Sequence, residues 1–237
     1  MARKKQPNIL FIMTDQQRPD CAGGHPVVRT PNLERLAAEG LRFDCAYTVS
    51  PVCMPARSSF ISGVYPHNHS IWYNAGHLPQ DDETFLHHLK EAGYRTAHVG
   101  KAHYYNMQHR DQREWEPYMR ARGFDAVHET GIDYISGFTK KKGGDSDLIR
   151  CRSHYSAHLE AKGLLQVHIE DYRRRAAEGD LAVWPTPLPE DDYIDGYIGA
   201  RAVDYLEGYD RTEPFFLFVG FQGPHYPWSA PERWAGM

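Results

Sequence analysis

The side chains best suited to chemistry in this chain follow segments whose patterns predict strands. Asp15 and Gln16 come directly after the first such segment, where their hard oxygen atoms could bind a divalent cation. Lys101 and His103 follow a second predicted strand, and His225 follows a third. Open parallel sheets place their sites beyond the carboxyl ends of the strands. We therefore expect these side chains to converge on one pocket.

The elements that must position these residues alternate between strand and helix patterns. Continuous apolar runs at residues 8–13 and 215–221 predict strands that are covered on both faces, and residues 94–99 predict another strand. Helical spacing and stop signals predict helices at 30–40 and 194–206. This alternation predicts an α/β fold with a mostly parallel sheet sandwiched by helices.

Weaker patterns occupy the remaining segments. Residues 41–47 alternate between apolar and polar side chains and therefore predict a strand. Residues 56–62 predict a short helix, and the acidic residues at 81–83 predict the start of another. Residues 104–190 are less regular and predict a surface insertion, which contains a lysine-rich loop and a helix at 164–177.

The composition restricts the possible function classes. The chain has 237 residues, and its 27 Lys and Arg residues against 31 Asp and Glu residues give no overall basic field for nucleic acid. With 41% hydrophobic residues it can bury a substantial core. Its apolar runs are too short for a signal peptide or for the roughly 18 residues of a membrane span. We expect a cytoplasmic protein without a nucleic-acid or membrane partner, and leave its oligomeric state open.

The cysteines match neither a disulfide framework nor a zinc site, which predicts reduced thiols. They are Cys21, Cys45, Cys53 and Cys151. Cys53 differs from the others because it lies near a predicted helix start, where backbone N–H groups favour an anion. It also opens the pattern Cys-x-Pro-x-Arg, which ends at Arg57. A small buried thiol is the alternative for Cys53, which the Pro and Arg at these spacings disfavour, and Asp15 taken in isolation could cap a turn.

Other motifs accompany this pattern. They are N-I-L-F-I-M-x-D at 8–15, T-P-N-L-x-x-L-A-x-x-G at 30–40, G-x-R-T-x-x-x-G-K-x-H at 93–103, Gly-Phe-Asp at 123–125 and Pro-His-x-Pro at 224–227. Together with Cys-x-Pro-x-Arg they resemble, in order, the formylglycine-dependent type I sulfatases of the alkaline phosphatase superfamily. The resemblance runs from about Pro7 to Pro231. It implies an alkaline-phosphatase-like fold, incomplete at the C-terminus, with residues 1–237 as the N-terminal portion of one catalytic domain.

This resemblance implies that Cys53 is oxidised to formylglycine, whose hydrated aldehyde carries two hydroxyls on one carbon. One hydroxyl would attack sulfur, and deprotonation of the other would expel sulfate and restore the aldehyde. Lys101 would hold a sulfate oxygen, and His103 would orient or deprotonate the hydrate. His225 would contact sulfate or protonate the leaving group. Arg57 is expected to pair with the hydrate or with a metal-bound carboxylate.

The metal ligands that the resemblance implies are Asp15, Gln16 and Cys53, with Ca²⁺ as the metal. The family usually has two acidic residues where this chain has Asp15 and then Gln16. A glutamine carbonyl still offers an oxygen but removes one negative charge, so Mn²⁺ stays open. His77 and Tyr104 are further candidates to face the pocket, although most of the 14 histidines are expected to be structural.

The implied activity is hydrolysis of a sulfate ester carried by a small molecule or a saccharide. The pair of Asp15 and Gln16 keeps open a phosphonate monoester or phosphodiester hydrolase of the same superfamily. A third alternative is a catalytically silent fragment or a binding protein, because the family's remaining metal ligands follow the Pro-His-x-Pro motif. For the same reason we expect residues 1–237 alone to hydrolyse aryl sulfates poorly, and a chain extended through those ligands to be active.

Overall fold

The computed structural model describes most of the chain. The described residues are 6–79, 81–105, 111–131, 152–178, 183–226 and 228–235. The lysine-rich loop predicted at 140–147 and Cys151 lie outside them. None of the helices within these ranges combines the length and the apolar character that crossing a membrane requires.

Four strands form the central sheet, and all of their pairings are parallel. In chain order they are β1 (Ile9–Met13), β2 (Arg95–Gly100), β3 (Ala126–Glu129) and β5 (Phe215–Gly220). Their spatial order is β1-β5-β2-β3, so β5 lies between β1 and β2. Two short strands, β4 (Trp184–Thr186) and β6 (Ser229–Pro231), form a separate parallel pair. The predicted parallel sheet is confirmed.

Helices connect these strands and cover the sheet. They are α1 (Pro31–Glu39), α2 (Cys53–Ser62), α3 (Pro66–His69), α4 (Phe85–Glu91), α5 (Glu116–Ala121), α6 (His154–Ala161), α7 (Leu165–Glu178), α8 (Ile194–Glu207) and α9 (Glu232–Ala235). The helices predicted at 30–40, 164–177 and 194–206 are confirmed as α1, α7 and α8.

Apolar side chains fill both faces of the sheet, because successive residues of a strand point to opposite sides. Phe216 and Phe218 of β5 pack on one face with residues of α2, α4 and α5. Leu217 and Val219 pack on the other face with residues of α6 and α8. The helices therefore hold the inner strands from both sides and fix the edge at which those strands end.

Two predictions about strands are wrong. β1 is covered on one face only, since Leu10 and Ile12 are 47% and 53% exposed at the edge of the sheet. Residues 41–47 form no strand, and the apolar side chains of Leu41 and Phe43 are largely exposed. Alternating polarity predicts a strand only where a neighbouring strand is available to pair with it.

Two helices begin at residues other than those predicted. α2 starts at Cys53 rather than at residue 56, so the cysteine is the first residue of the helix. α4 starts at Phe85, after the acidic residues, because Thr84 and His87 cap its N-terminus reciprocally.

Part of the predicted surface insertion at 104–190 belongs to the core instead. β3 is a member of the central sheet, and Tyr104, Tyr105 and Tyr118 are buried. The four residues of β3, Ala-Val-His-Glu, lack the apolar run that marks the other strands, which is why the sequence did not predict it.

The ends of β2 and β5 approach each other closely beside the candidate site. Gly100 has φ +98°, in the region that glycine favours, and a Cβ at this position would overlap the carbonyl oxygen of Gly220. A Cβ at Gly220 would in turn overlap the carbonyl oxygen of Lys101. Two glycines therefore allow the turn that carries Lys101 to lie against β5.

We expect Gly100→Ala to destabilise the protein more than Gly93→Ala, which is a matched control. Gly93 has φ +92°, but a Cβ there would meet no atom within 4 Å among the described residues. The strained φ alone is expected to lower the free energy of unfolding by about 1–2 kcal/mol. The added overlap at Gly100 is expected to bring the loss to roughly 3 kcal/mol or more. Urea unfolding measures both, and equal losses would contradict the close approach.

Candidate active site

A cavity of about 820 Å³ opens at the carboxyl edge of the sheet. Its wall includes Asp15 and Gln16 beyond β1, Cys53 and Arg57 from α2, and His225 beyond β5. These segments meet because the carboxyl ends of parallel strands share one edge. Of the residues predicted to converge, Asp15, Cys53 and His225 line this cavity, and Lys101 and His103 do not.

Asp15 is the buried anion of this site, with an exposed fraction of 7%. Its Oδ2 lies 2.6 Å from Lys101 Nζ and accepts a hydrogen bond of 3.1 Å from Arg57 Nη2. Its backbone N–H donates to the carbonyl oxygen of Gly223 over 3.1 Å. Asp15 thus joins β1 to α2, to the turn after β2 and to the loop after β5.

Asp15, Lys101 and Arg57 form an ion triad, and the interactions among their charges determine their protonation states. Burial raises the pKa of the Asp15 carboxyl, but the cations of Lys101 and Arg57 outweigh it and hold that pKa below its usual value. Burial lowers the pKa of Lys101, and the Asp15 carboxylate opposes this effect. With two cations and one anion, the triad leaves an excess positive charge beside the cavity, which favours an anionic ligand.

Arg57 also fixes the turn that follows β2. Its Nη1 donates to the carbonyl oxygen of Lys101 over 2.8 Å, while its Nη2 donates to Asp15. The side chain is buried, and its planar guanidinium supplies several donors in fixed directions. Arg57 therefore pairs with the Asp15 carboxylate and holds the turn that carries Lys101. That this carboxylate binds a metal stays a prediction.

Cys53 is half-buried at the first residue of α2. Its Sγ, a carboxylate oxygen of Asp15 and a ring nitrogen of His225 all lie within 4.8 Å of one another. The next amide, Met54 N–H, donates to Asn74 Oδ1 over 3.0 Å, which fixes the start of the helix. Helix N-termini carry a partial positive charge, so a group at Cys53 that develops negative charge is favoured here.

Gln16 and His225 are linked through Tyr226. Gln16 has φ +60°, and its Oε1 accepts the Tyr226 backbone N–H over 3.3 Å. His225 Nδ1 donates to the carbonyl oxygen of Tyr226, which leaves the lone pair of the neutral ring on Nε2. Burial, and then the Lys101 cation, lower the pKa of His225. The imidazole is therefore neutral near pH 7 and can act as a ligand or accept a proton.

His103 lies in the same region but does not line the cavity among the described residues. It is buried, has φ +53°, and its Nδ1 has no hydrogen-bond partner in the described part of the chain. Burial, and then the charge of Lys101, hold its pKa well below the usual value. Lys101 is also fully buried behind Asp15 rather than in the cavity wall.

Sequence reasoning missed two carboxylates that hold the site. Asp195 of α8 accepts the backbone N–H groups of Gln222 and Gly223 over 2.8 and 2.9 Å, and thereby holds the loop that carries His225. Glu129, at the end of β3, accepts the N–H of Ala102 over 3.1 Å. Each is a single acidic residue far along the chain from the segment it holds, so no local pattern marks it.

His77 and Tyr104, named as further candidates, do not line the cavity in the described structure. The His77 ring packs against Trp115 and Tyr118, and its backbone forms a bridge with Tyr105. Tyr104 is fully buried. Both are packing residues.

The donor atoms around the cavity fit a divalent cation. Asp15 supplies carboxylate oxygens, and its Oδ2 makes the contacts of 3.1 Å with Arg57 and 2.6 Å with Lys101. The amide oxygen of Gln16 has a second lone pair, and the imidazole of His225 adds a nitrogen donor. Ca²⁺ takes six to eight oxygen ligands, so these residues supply part of a coordination sphere.

The fold and the site together define the class of protein. The Sulfatase family model matches residues 7–237, and the chain belongs to this family. The chain is 33% identical over 232 residues to the uncharacterized sulfatase YidJ of Escherichia coli, covering 96% of this chain and 40% of that protein. It is 29% identical over 248 residues to an arylsulfatase of Clostridium perfringens, covering 98% of this chain and 46% of that protein.

Solved structures agree with this assignment at the level of the fold. The phosphonate monoester hydrolase SpPMH of Silicibacter pomeroyi superposes with a TM-score of 0.67 at 23% identity, over 98% of this chain and 44% of that structure. The expected alkaline-phosphatase-like fold is confirmed. The chain spans less than half the length of these relatives.

We expect Lys101→Met to cost far more stability than Lys90→Met. Lys101 is fully buried against Asp15, and removing one partner of a buried ion pair costs roughly 3 kcal/mol or more. Lys90 pairs with Asp125 over 2.8 Å but is 41% exposed, so its loss is expected to cost less than about 1 kcal/mol. The free energy of unfolding in urea measures the difference. Similar losses would show that the buried pair does not hold the site together.

Proposed function

We propose that the full-length protein hydrolyses sulfate esters of small molecules or saccharides, with formylglycine derived from Cys53 as the nucleophile. The observation that carries this proposal is the approach of Cys53, Asp15 and His225 to within 4.8 Å at one edge of a sulfatase fold. The excess positive charge of the neighbouring triad suits an anionic ester.

The residues of this chain have distinct parts in the proposed reaction. The aldehyde hydrate at position 53 supplies the nucleophilic hydroxyl. The Asp15 carboxylate and the Gln16 amide oxygen hold a divalent cation, Ca²⁺ or Mn²⁺, which neutralises ester oxygens when bound. Lys101 keeps Asp15 ionised and contributes positive charge to the pocket. His225, which is neutral near pH 7, can exchange a proton with a leaving group at the cavity.

We propose that His103 acts through its imidazole ring, whose pKa burial and the Lys101 charge lower. Its Nδ1, unpartnered among the described residues, can accept a proton or a hydrogen bond from a hydroxyl on residue 53. Arg57 contributes by orientation, because it fixes both Asp15 and the Lys101 carbonyl.

We expect Cys53→Ala to abolish ester hydrolysis by the full-length protein, because it removes the thiol whose oxidation turns Cβ into the aldehyde. Cys45→Ala is the control, since Cys45 is an exposed free thiol outside the cavity wall. Hydrolysis of 4-nitrophenyl sulfate measures both variants. Peptide mass spectrometry across residues 52–57 shows whether CH₂SH has become CHO. Retained turnover by Cys53→Ala would refute the assignment.

The pair of Asp15 and Gln16 keeps one alternative open, a phosphonate monoester or phosphodiester hydrolase, and two solved structures of similar fold are phosphonate monoester hydrolases. We expect kcat/KM for 4-nitrophenyl sulfate to exceed that for 4-nitrophenyl phenylphosphonate in the full-length protein. Gln16→Asp, which restores a second carboxylate, is expected to increase Ca²⁺ affinity. A reversed substrate preference would establish the alternative. Hydrolysis of neither ester, and of no sulfated saccharide, would favour a binding protein.

A further inference from the structure

We propose that Glu129 is a positioning residue, whose buried carboxylate holds the turn from Lys101 to His103 through the backbone N–H of Ala102. This inference rests on the proposed function, in which Lys101 and His103 serve the reaction. Glu129 does not line the cavity in the described structure, so its effect on the reaction passes through the turn.

The carboxylate of Glu129 bridges the turns that follow two neighbouring parallel strands. Glu129 is the last residue of β3 and is paired with Gly100 of β2. Its oxygens accept the N–H of Ala102 over 3.1 and 3.3 Å, and Oε1 accepts the N–H of Gly131 over 2.9 Å. Because Ala102 lies between Lys101 and His103, this one amide fixes the direction of both neighbouring side chains.

The turn needs such a support because its backbone is unusual at both ends. Gly100 has φ +98° and His103 has φ +53°, a conformation that residues with a Cβ rarely adopt. On the side of β5, Lys101 N–H donates to the carbonyl oxygen of Gly220 over 2.8 Å. On the side of β3, the Glu129 carboxylate holds the next amide. The two contacts together define the path of the turn.

The charge of Glu129 is sensitive to pH near neutrality. The side chain is fully buried, and burial raises its pKa to about 7, although the two N–H donors and the cations of Arg57 and Lys101 oppose the shift. The titratable and charged groups that face it are His98 from β2, Lys101 and Tyr104 from the turn, and Arg57 from α2. Burial lowers the pKa of His98 to about 3, so that ring stays neutral.

Ionisation of Glu129 therefore changes how firmly the turn is held. The carboxylate accepts both amides, and hydrogen bonds to an ionised acceptor are the stronger kind. The protonated acid carries an O–H donor, and one of its oxygens then accepts poorly. The turn is expected to be best ordered above pH 7 and to loosen as the pH falls through that value.

Amide NMR tests the hydrogen bonds without any need for turnover. The full-length protein is labelled with ¹⁵N-alanine and ¹⁵N-glycine in a deuterated background and titrated from pH 5 to 9. We expect the amide protons of Ala102 and Gly131 to shift together, downfield with rising pH, with a midpoint near 7. Glu129→Gln is expected to abolish this titration.

Kinetics on 4-nitrophenyl sulfate test the positioning role. We expect Glu129→Gln to lower kcat by about tenfold or more, with KM within about threefold, because the turn and not the substrate contact is changed. The wild-type rise of kcat through pH 7 is expected to disappear. Glu129→Asp, which keeps the charge on a shorter side chain, is expected to retain part of that pH dependence.

Asp125→Asn is the matched control. Asp125 precedes β3 and accepts the backbone N–H of Thr96 over 3.1 Å, so it also links β3 to β2, but away from the site. This variant is expected to lose stability while keeping kcat within about twofold and leaving the Ala102 titration unchanged. A similar loss of kcat in both variants would reduce Glu129 to a general structural role.

The outcomes separate this inference from the proposed function. If the wild-type protein hydrolyses no sulfate ester, the proposed function fails, and the amide titration still decides whether Glu129 holds the turn. If neither amide titrates, or if Glu129→Gln keeps the wild-type kcat and pH profile, the inference is overturned. If Glu129→Gln does not fold, the wild-type titration and Glu129→Asp provide the answer.

Discussion

The ion triad of Asp15, Arg57 and Lys101 is the interaction on which the site depends, since each member comes from a different part of the chain. Burying one carboxylate costs free energy unless cations accompany it, and here two cations share a single oxygen. Because of this cost, the buried position of each of the three side chains depends on the other two. Loss of Asp15 would leave two buried cations without an anion, and loss of either cation would remove part of the compensation for the buried carboxylate.

This dependence explains why the sheet and the site form one unit. The inner strands are fixed by apolar packing on both faces, and their ends deliver the charged residues to a single edge. Glycines allow the close approach of β2 and β5, and the Asp195 and Glu129 carboxylates hold the loops by accepting hydrogen bonds from backbone N–H groups. Apolar packing fixes where the edge of the sheet lies, whereas hydrogen bonds fix the directions of individual side chains.

Much of the fold and of the candidate site could be predicted from the sequence, because the patterns that specify them are local. The apolar run of β5 and the helical stripe of α8 specify their own conformations, and the rule for parallel sheets then brings Asp15 and His225 together. The motifs around Cys53 added the chemistry that spacing alone could not. The roles of Lys101 and His103 stay predictions, since neither residue lines the cavity in the described structure.

The rest depended on contacts between distant residues, which leave no local pattern. Glu129 and Asp195 look like ordinary acidic residues in the sequence, and only the folded chain brings them to particular backbone N–H groups. The strand predicted at 41–47 was wrong for a different reason. The residues do alternate between apolar and polar side chains, but none of the described strands pairs with this segment. β1 shows the same limit, because the run of apolar residues predicts a strand without predicting its place in the sheet.

The strand order β1-β5-β2-β3 has a consequence for how the chain reaches its folded state. β1 and β2 do not touch each other among the described pairings, and β5, which joins them, is made more than 100 residues after β2. During synthesis on the ribosome, β2 and β3 can therefore pair before β5 is made, whereas β1 cannot pair with β5 until then. Insertion of β5 between β1 and β2 brings Asp15 to Lys101, so assembly of the central sheet and of the ion triad is one late, long-range event.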